Sequence, residues 1–251
     1  MLKHKAVQGV DVRARGRRAL NRVDEAQYQS PLVTVDVVIL TLRDGKLQLL
    51  LMKRASKPFR GVWALPGGYI HPEEDADLEA AARRILLAKA GIETPYMEQL
   101  QAFGNAQRDP RGWTATFAYF ALIASDSLSL RHGSNAEEVA WWDVNEHGVE
   151  PALAFDHADI AASAVKRLRS KVEYTSLPVH LLPKKFTLPD LQRVYEQILG
   201  RRMDKSAFRK RMAEADFLEP VPGEVRAASN RPAQIYRIKR GLTTIFFDRT
   251  I

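Results

Sequence analysis

The sequence predicts an α+β protein built in two folded parts. A strand-rich part with one internal helix spans residues 31–150, and a smaller part of two helices and a hairpin spans 184–251. A helix and linker over 151–183 join them, and a basic arm, residues 1–30, precedes both. Three observations carry this. Runs of β-branched and aromatic residues, separated by turn signals, recur from Leu32 to Asp143. Between them, Ala80 to Lys89 is a stretch of strong helix formers. Beyond Pro183 the pattern changes to two short amphipathic stretches, each opened by a capping residue, then two strands flanking a polar, basic loop.

The 251 residues are 45% hydrophobic, enough for a sizeable core. Cysteine is absent, which removes disulfide frameworks and thiolate zinc sites and suits a reducing, cytoplasmic setting. No apolar run approaches the ~20 residues of a membrane helix, and the N-terminus lacks an apolar signal-like stretch. Neither a membrane partner nor secretion is expected. The net charge of +8 is unevenly spread. Counting Lys and Arg against Asp and Glu, residues 1–30 hold 7 against 3, residues 31–169 hold 15 against 18, and residues 170–251 hold 16 against 9. Basic ends beside a mildly acidic middle point to a polyanionic partner, nucleic acid foremost.

In chain order, Leu32 to Leu42 is β-branched and apolar and reads as a buried strand. Asp44-Gly45 is a hairpin signal, and Leu47 to Met52 is the returning strand. A loop through Pro58 leads to Gly61-Val62-Trp63-Ala64-Leu65-Pro66-Gly67-Gly68. The helix over Ala80–Lys89 places residues 85, 88 and 89 at i, i+3 and i+4, on one face. Tyr96–Asn105, Trp113–Ile123 and Glu138–Asp143 read as further strands, with a loop at Arg108-Asp109-Pro110-Arg111-Gly112. Asp156 is placed to cap a helix reaching Val172, with Ile160, Ala164, Val165, Leu168 and Val172 as its apolar stripe. His157 has no metal-spaced partner and reads as structural.

Thr175 to Pro183 reads as a linker or a short docking element. Thr187 and Asp190 form a capping-box pattern for a helix whose stripe is Leu188, Leu191, Val194, Tyr195, Ile198 and Leu199, with Gly200 as its stop. Asp204 caps a second helix, reaching Ala215, in which Phe208 and Met212 face inward. Leu218–Val225 and Gln234–Ile238 read as strands. Helix, short turn, basic helix and hairpin is the order of a winged helix-turn-helix. Lys205, Ser206, Arg209 and Lys210 on the second helix are candidates for the major groove of a double-stranded DNA operator. Arg226 and Arg231 are candidates for wing contacts to its backbone.

The stretch from Gly67-Gly68 to Gly91-Ile92 resembles the Nudix box, G-x5-E-x7-R-E-U-x-E-E-x-G-U with U a bulky apolar residue. Leu65-Pro66-Gly67-Gly68 opens it, Glu74 fits the first acid, and Arg84 fits the arginine after a short insertion near Asp75–Asp77. Leu86, Gly91 and Ile92 close it, but Ile85, Ala88 and Lys89 stand where the pattern has glutamates. The preceding run K-R-x-x-x-P-F-x-G-x-W-x-L-P-G-G is also similar to Nudix enzymes acting on nucleoside diphosphate derivatives. With Leu153-Ala154-Phe155-Asp156-His157, Leu181-Leu182-Pro183, Phe186-Thr187-Leu188 and Asp204-Lys205, the two parts together resemble the Nudix-related transcriptional regulators of NAD metabolism.

That resemblance implies a Nudix-like α/β/α sandwich followed by a winged helix. It implies a homodimeric repressor of NAD biosynthesis or salvage genes, released from DNA by ADP-ribose; regulators of the same architecture respond to sugar metabolites. Candidate ligand contacts are Arg54, Trp63, Gly67, Gly68, Arg84 and Lys89, although Trp63 suits a core position equally. Without the glutamates, no catalytic residue, no metal site and no cofactor are expected, since Mg²⁺ needs oxygen ligands. The enzyme alternative is an ADP-ribose pyrophosphatase using Glu73, Glu74 or Glu79 as surrogate ligands.

Overall fold

The structure, a computed structural model, describes residues 30–91, 94, 96–125, 136–145, 148–227, 232–242 and 244–247. The basic arm before Ser30 and the wing residue Arg231 lie outside the described residues. The described strand-rich part begins with β1 (Leu32–Arg43) and β2 (Lys46–Arg54), joined at Asp44-Gly45. Both turn residues have positive φ, 51° and 77°, the requirement of a two-residue type I′ hairpin. Short strands β3 (Trp63–Ala64) and β4 (Gly67–Tyr69) precede α1 (Leu78–Ala90), and β5 (Tyr96–Asn105), β6 (Thr114–Leu122), β7 (Ala136–Asn145) and β8 (Gly148–Val149) follow.

The main path of the sheet runs β5-β6-β1-β2-β7-β8. Strand β1 is parallel to β6 along one edge. Its other edge takes β4 opposite Thr34–Asp36 and β2 opposite Leu40–Arg43, both antiparallel. Both faces of this sheet are covered, so β1 reads as a mostly apolar run, with Thr34, Asp36 and Thr41 its polar members before Arg43. Val35, Val37 and Ile39 pack with Leu50, Tyr119 and Ala121 against Ala81, Ile85 and Leu86 of α1. Val38, Leu40 and Leu42 pack with Leu49, Phe120 and Leu122 against α2 (His157–Val172), which presents Ile160, Ala164, Val165 and Leu168. A helix on each face gives the α/β/α sandwich that the resemblance implied.

Helix α1 starts two residues before the expected Ala80. The Asp77 side chain accepts from Ala80 N at 2.7 Å, so Leu78 and Glu79 belong to the first turn. Gly91, at φ 65°, ends it. Asp156 stands at the start of α2 as expected but makes no capping bond with its side chain. Its carboxylate is held instead by Arg108, through a bidentate pair that outcompetes a single bond to a backbone N–H.

Residues 175–183 are a docking element, not a free linker. Leu177–Leu181 forms a 3-10 turn with Leu177, Val179 and Leu181 buried, and the His180 ring stacks on Tyr96 at 5.1 Å. The apolar core is continuous from the sheet through α2 and this turn into α3 (Leu188–Leu199), where Leu191, Val194, Tyr195 and Ile198 are buried. No break in packing therefore marks the expected boundary at residues 183 and 184.

The C-terminal part has the expected caps. Thr187 accepts from Asp190 N while Asp190 accepts from Thr187 N, and Gly200 ends α3 at φ 68°. Asp204 caps α4 (Lys205–Glu214), which buries Phe208 and Met212. Strands β10 (Leu218–Arg226) and β11 (Ala233–Ile238) pair antiparallel. A strand not foreseen, β9 (Phe186–Thr187), pairs with β11 and completes the three-stranded sheet of a winged helix. Among the described residues, no helix is long and apolar enough to cross a membrane.

Tyr195 ties the two parts: its hydroxyl, fully buried, donates to the Thr175 carbonyl at 2.7 Å. Tyr195→Phe should leave that carbonyl without a donor and lower stability by about 1–3 kcal/mol. Urea denaturation followed by tryptophan fluorescence measures this; an unchanged midpoint would show that the bond contributes nothing.

Candidate functional site

A cleft of about 430 Å³ opens between β1, β2, β4, α1 and the loop at 108–111. It starts from one polar residue in an apolar strand. Asp36 lies in the middle of β1, on the α2 side of the sheet, and is 5% exposed. Arg108 reaches it at 3.5 Å and binds Asp156 through two bonds of 2.8 Å. Burial alone would lower the Arg108 pKa; the bonded Asp156, helped by Asp36 and Asp109, outweighs burial and raises it. His157 completes the group. Its Nδ1 accepts from Leu65 N at 2.9 Å, which leaves the proton on Nε2, 3.7 Å from Asp36 Oδ1. Burial first, and then Arg108 and Arg54, lower its pKa against the opposing pull of Asp36 and Asp156, so the ring is neutral.

Gly67 and Gly68 line the cleft for different reasons. A Cβ at Gly67 would stand 2.0 Å from Asp36 Oδ1, so only glycine fits there. At Gly68 a Cβ would meet Ile85 at 3.7 Å, an ordinary contact. Arg84 also lines the cleft, but its guanidinium is committed. It binds both oxygens of Asp75 at 2.7 Å and the Tyr69 carbonyl at 2.9 Å. The bonded Arg84 holds the Asp75 carboxyl down at about 2.

The far wall is aromatic and cationic. Phe155 adopts φ 58°, a strained conformation for an aromatic residue. Its ring meets Phe59 edge-on at 4.9 Å and carries the Arg54 guanidinium at 4.7 Å and that of Arg111 at 5.9 Å. Arg54 donates Nε to the Pro58 carbonyl at 2.9 Å. Arg111 is bound to Asp109 and to the Tyr69 hydroxyl at 2.5 Å. From α1, Ile85, Ala88 and Lys89 all line the cleft, as the helical spacing requires. Trp63 does not line it: its ring packs edge-on against Trp142 at 5.4 Å, beside the core, because β3 turns it to the α2 side. The surrogate acids are elsewhere too. Glu74 faces His71 and Glu79 pairs with Arg83, both exposed, and neither these nor Glu73 lines the cleft. Among the described residues, no group of three or more His, Asp or Glu is placed to hold a metal ion.

At the other end, Lys205, Ser206, Arg209 and Lys210 are exposed on α4, opposite Phe208 and Met212. Lys210 stands 3.8 Å from Glu214. Arg226 is exposed at the end of β10, but its Nη1 is bound to Asp190 Oδ2 at 2.6 Å, so it is tied to the cap of α3.

Sequence reasoning missed Asp36, Arg108, Asp109, Arg111 and Phe155 as site residues. A signal existed for Asp36, a lone acid in an eleven-residue strand otherwise free of charge from Leu32 to Leu42. The loop at 108–111 carried no local pattern that distinguishes a site from a turn.

Arg108→Met would leave the buried Asp36 and the half-buried Asp156 without their cation, and should cost about 3–5 kcal/mol, read as a loss of chemical-denaturation midpoint. The Asp75–Arg84 tie has the opposite kind of signature, in pH. Because the folded carboxyl lies at about 2, below its unfolded value, its contribution is present above that unfolded value and fades as pH falls toward 2. A carboxyl-carbon NMR titration should find Asp75 still ionised at pH 3; a midpoint near 4 would mean the pair does not form.

The model of the NUDIX domain matches residues 32–164, and that of the NrtR DNA-binding winged helix domain matches residues 178–238. The ADPR responsive transcriptional repressor NtrR of Acinetobacter baylyi is 44% identical over 220 residues, which span 87% of this chain and 86% of that protein. The crystal structure of Shewanella oneidensis NrtR complexed with a 27mer DNA superposes with a TM-score of 0.79 at 37% identity, covering 87% of this chain and 99% of that one. The NUDIX domain of the same Shewanella protein, complexed with ADP ribose, gives a TM-score of 0.53 at 36% identity over 59% of this chain and 94% of that one. Two family models on the two folded parts, and a relative this similar along most of both sequences, establish that the chain belongs to the NrtR family, a NUDIX domain joined to an NrtR DNA-binding winged helix.

Proposed function

We infer that the chain is a ligand-responsive DNA-binding transcriptional regulator, a repressor of NAD biosynthesis or salvage genes that ADP-ribose releases from its operator. One observation carries this reading: a NUDIX cleft whose helix face offers Ile85, Ala88 and Lys89 is packed continuously onto a winged helix whose α4 offers Lys205, Ser206, Arg209 and Lys210 to solvent. The named relative, an ADPR responsive repressor, supports the effector. The Shewanella complexes with DNA and with ADP ribose support the two partners.

The cleft binds without hydrolysing. Mg²⁺ takes hard oxygen ligands, and the α1 face that would hold it offers an isoleucine, an alanine and an ammonium. The carboxylates that do line the cleft are occupied: Asp36 by Arg108, and Asp109 by Arg111. The residues present do not fit the metal, so no step of a pyrophosphate hydrolysis is assigned. Arg54, Gly67, Gly68, Arg84 and Lys89 are the proposed ligand contacts. Arg111 and Phe155 join them, and Trp63 is left out.

On DNA, α4 enters the major groove of one half-site, and a homodimer spans two half-sites one or two helical turns apart. Arg209 is the best placed to read a base, since its planar fork matches guanine O6 and N7. Arg226 anchors the wing through Asp190 and contacts backbone from there.

In a mobility-shift assay, Arg209→Ala should weaken operator binding by about 1–3 kcal/mol and relax preference at one base pair. Lys205→Ala should weaken binding on every sequence and reduce the salt slope by about one. Wild-type binding to an operator-like duplex that does not respond to ADP-ribose would refute the effector assignment. For catalysis, incubation with ADP-ribose and Mg²⁺ or Mn²⁺ should release no AMP; release that scales with protein would restore the pyrophosphatase reading.

A further inference from the structure

Lys89 is the one member of the α1 triplet that brings a charge, and it brings the wrong sign for a metal ligand. It is half-buried on the last turn of α1, inside the cleft. The cations around it are largely committed to partners: Arg84 to Asp75, Arg108 to Asp156 and Asp36, Arg111 to Asp109. Among the described residues, no carboxylate forms an ion pair with Lys89, nor with Arg54. Burial, and then the charges of Arg54 and Arg84, pull the Lys89 ammonium below its ordinary pKa.

A partly desolvated ammonium facing two guanidiniums is costly unless an anion joins it. The same arrangement repels a divalent cation. An ammonium is a compact charge with three donors, suited to phosphate oxygens. We propose that Lys89 stands in for the divalent cation at the diphosphate of the effector, contacting it directly beside Arg54, so that ligand binding in this cleft needs no metal. The inference rests on the reading of the ligand as ADP-ribose, but only its diphosphate matters to Lys89.

Neighbouring groups set how pH acts. Arg54 and Arg84 face Lys89 from β2 and α1; Lys53, Lys57, Tyr69 and His71 line the same cleft, as do Asp36 and Asp109, each bound to an arginine. The depressed ammonium loses its proton earlier on the way up in pH than an exposed lysine. Affinity for the anion therefore falls as pH rises through that lowered value, earlier than an exposed lysine would allow.

The test is calorimetry of the full chain with ADP-ribose, in EDTA and again in Mg²⁺. The wild type should bind equally in both. Lys89→Ala should bind about ten- to a hundredfold more weakly in both, as expected for loss of a charge-assisted contact, and should lose the alkaline fall in affinity. Lys89→Arg should recover most of the affinity, and circular dichroism of each variant reports whether the fold is intact. Binding that requires Mg²⁺, or wild-type affinity in Lys89→Ala, overturns the proposal while leaving the effector reading in place. If ADP-ribose fails to bind in either buffer, the effector reading falls, and pyrophosphate titrated in EDTA tests Lys89 alone. Pyrophosphate bound by the wild type and lost in Lys89→Ala sustains the anion site, and no binding at all overturns it.

Discussion

One buried carboxylate holds the site together. Asp36 is covered by the sheet on one side and by α2 on the other, where an ionised group without a partner would cost several kcal/mol, on the order of the whole stability of a domain. Its needs propagate outward. The carboxylate must be met by Arg108, which is then also bound to Asp156. Asp156 stands just before α2, and His157, the first residue of that helix, accepts from Leu65 N and faces Asp36. The close approach of Asp36 to the opposite strand excludes a Cβ at Gly67. Strand β4, the loop at 108–111 and the start of α2 are thus fixed relative to one another by charge, and the cleft is the space they enclose.

The same helix connects that space to the other part of the chain. At its start α2 is gripped through Asp156; near its end Arg167 and Lys171 pair with Glu98, which Tyr96 also contacts. Thr175, the 3-10 turn and Tyr195 follow without an interruption in the core. An α-helix of this length spans about 24 Å and resists bending, so a shift at one end is transmitted, not absorbed. Such a route transmits a signal only if the ligand has different affinities for the two arrangements it connects. Phe155 is where the cleft lining and the start of this helix meet. It is held at positive φ directly before Asp156, with its ring under Arg54.

Features written locally were legible in the sequence. The Asp44-Gly45 hairpin, the Thr187–Asp190 capping box, the Gly200 stop and the Asp204 cap all act within four residues, and all form as read. Features that depend on residues far apart were not. Asp156 reads as a cap, yet Arg108, 48 positions earlier, takes its carboxylate. Arg226 reads as a free wing cation, yet Asp190 meets it across 36 positions. Trp63 sits in a motif-like run that suggested a ligand contact, but its orientation is set by Trp142 and by the pairing of β3 with β2. Strand β9 is two residues long, too short to show a period of its own. The positions of Ile85, Ala88 and Lys89 in the cleft could be read in advance because helical spacing is a local rule.

These distinctions separate what the Nudix-like box does as scaffold from what it does as chemistry. Gly67 serves the scaffold, since Asp36 leaves no room for another residue. Arg84 serves it too: its bonds to Asp75 and the Tyr69 carbonyl fasten the 69–77 loop to α1, whatever the cleft contains. Gly91 ends α1 in a left-handed conformation that favours glycine. None of these three needs a metal. The three positions that differ from the pattern are the ones whose side chains only face the cleft, apart from Ile85, which also fills the core below α1. An isoleucine there adds buried apolar area where a glutamate would have needed a partner. The helix can therefore lose its carboxylates, and even gain packing, while the turn, the loop and the helix ends that shape the cleft remain as the fold requires. A cleft with the outline of a Nudix site, lined by more cations than carboxylates, is the physical result.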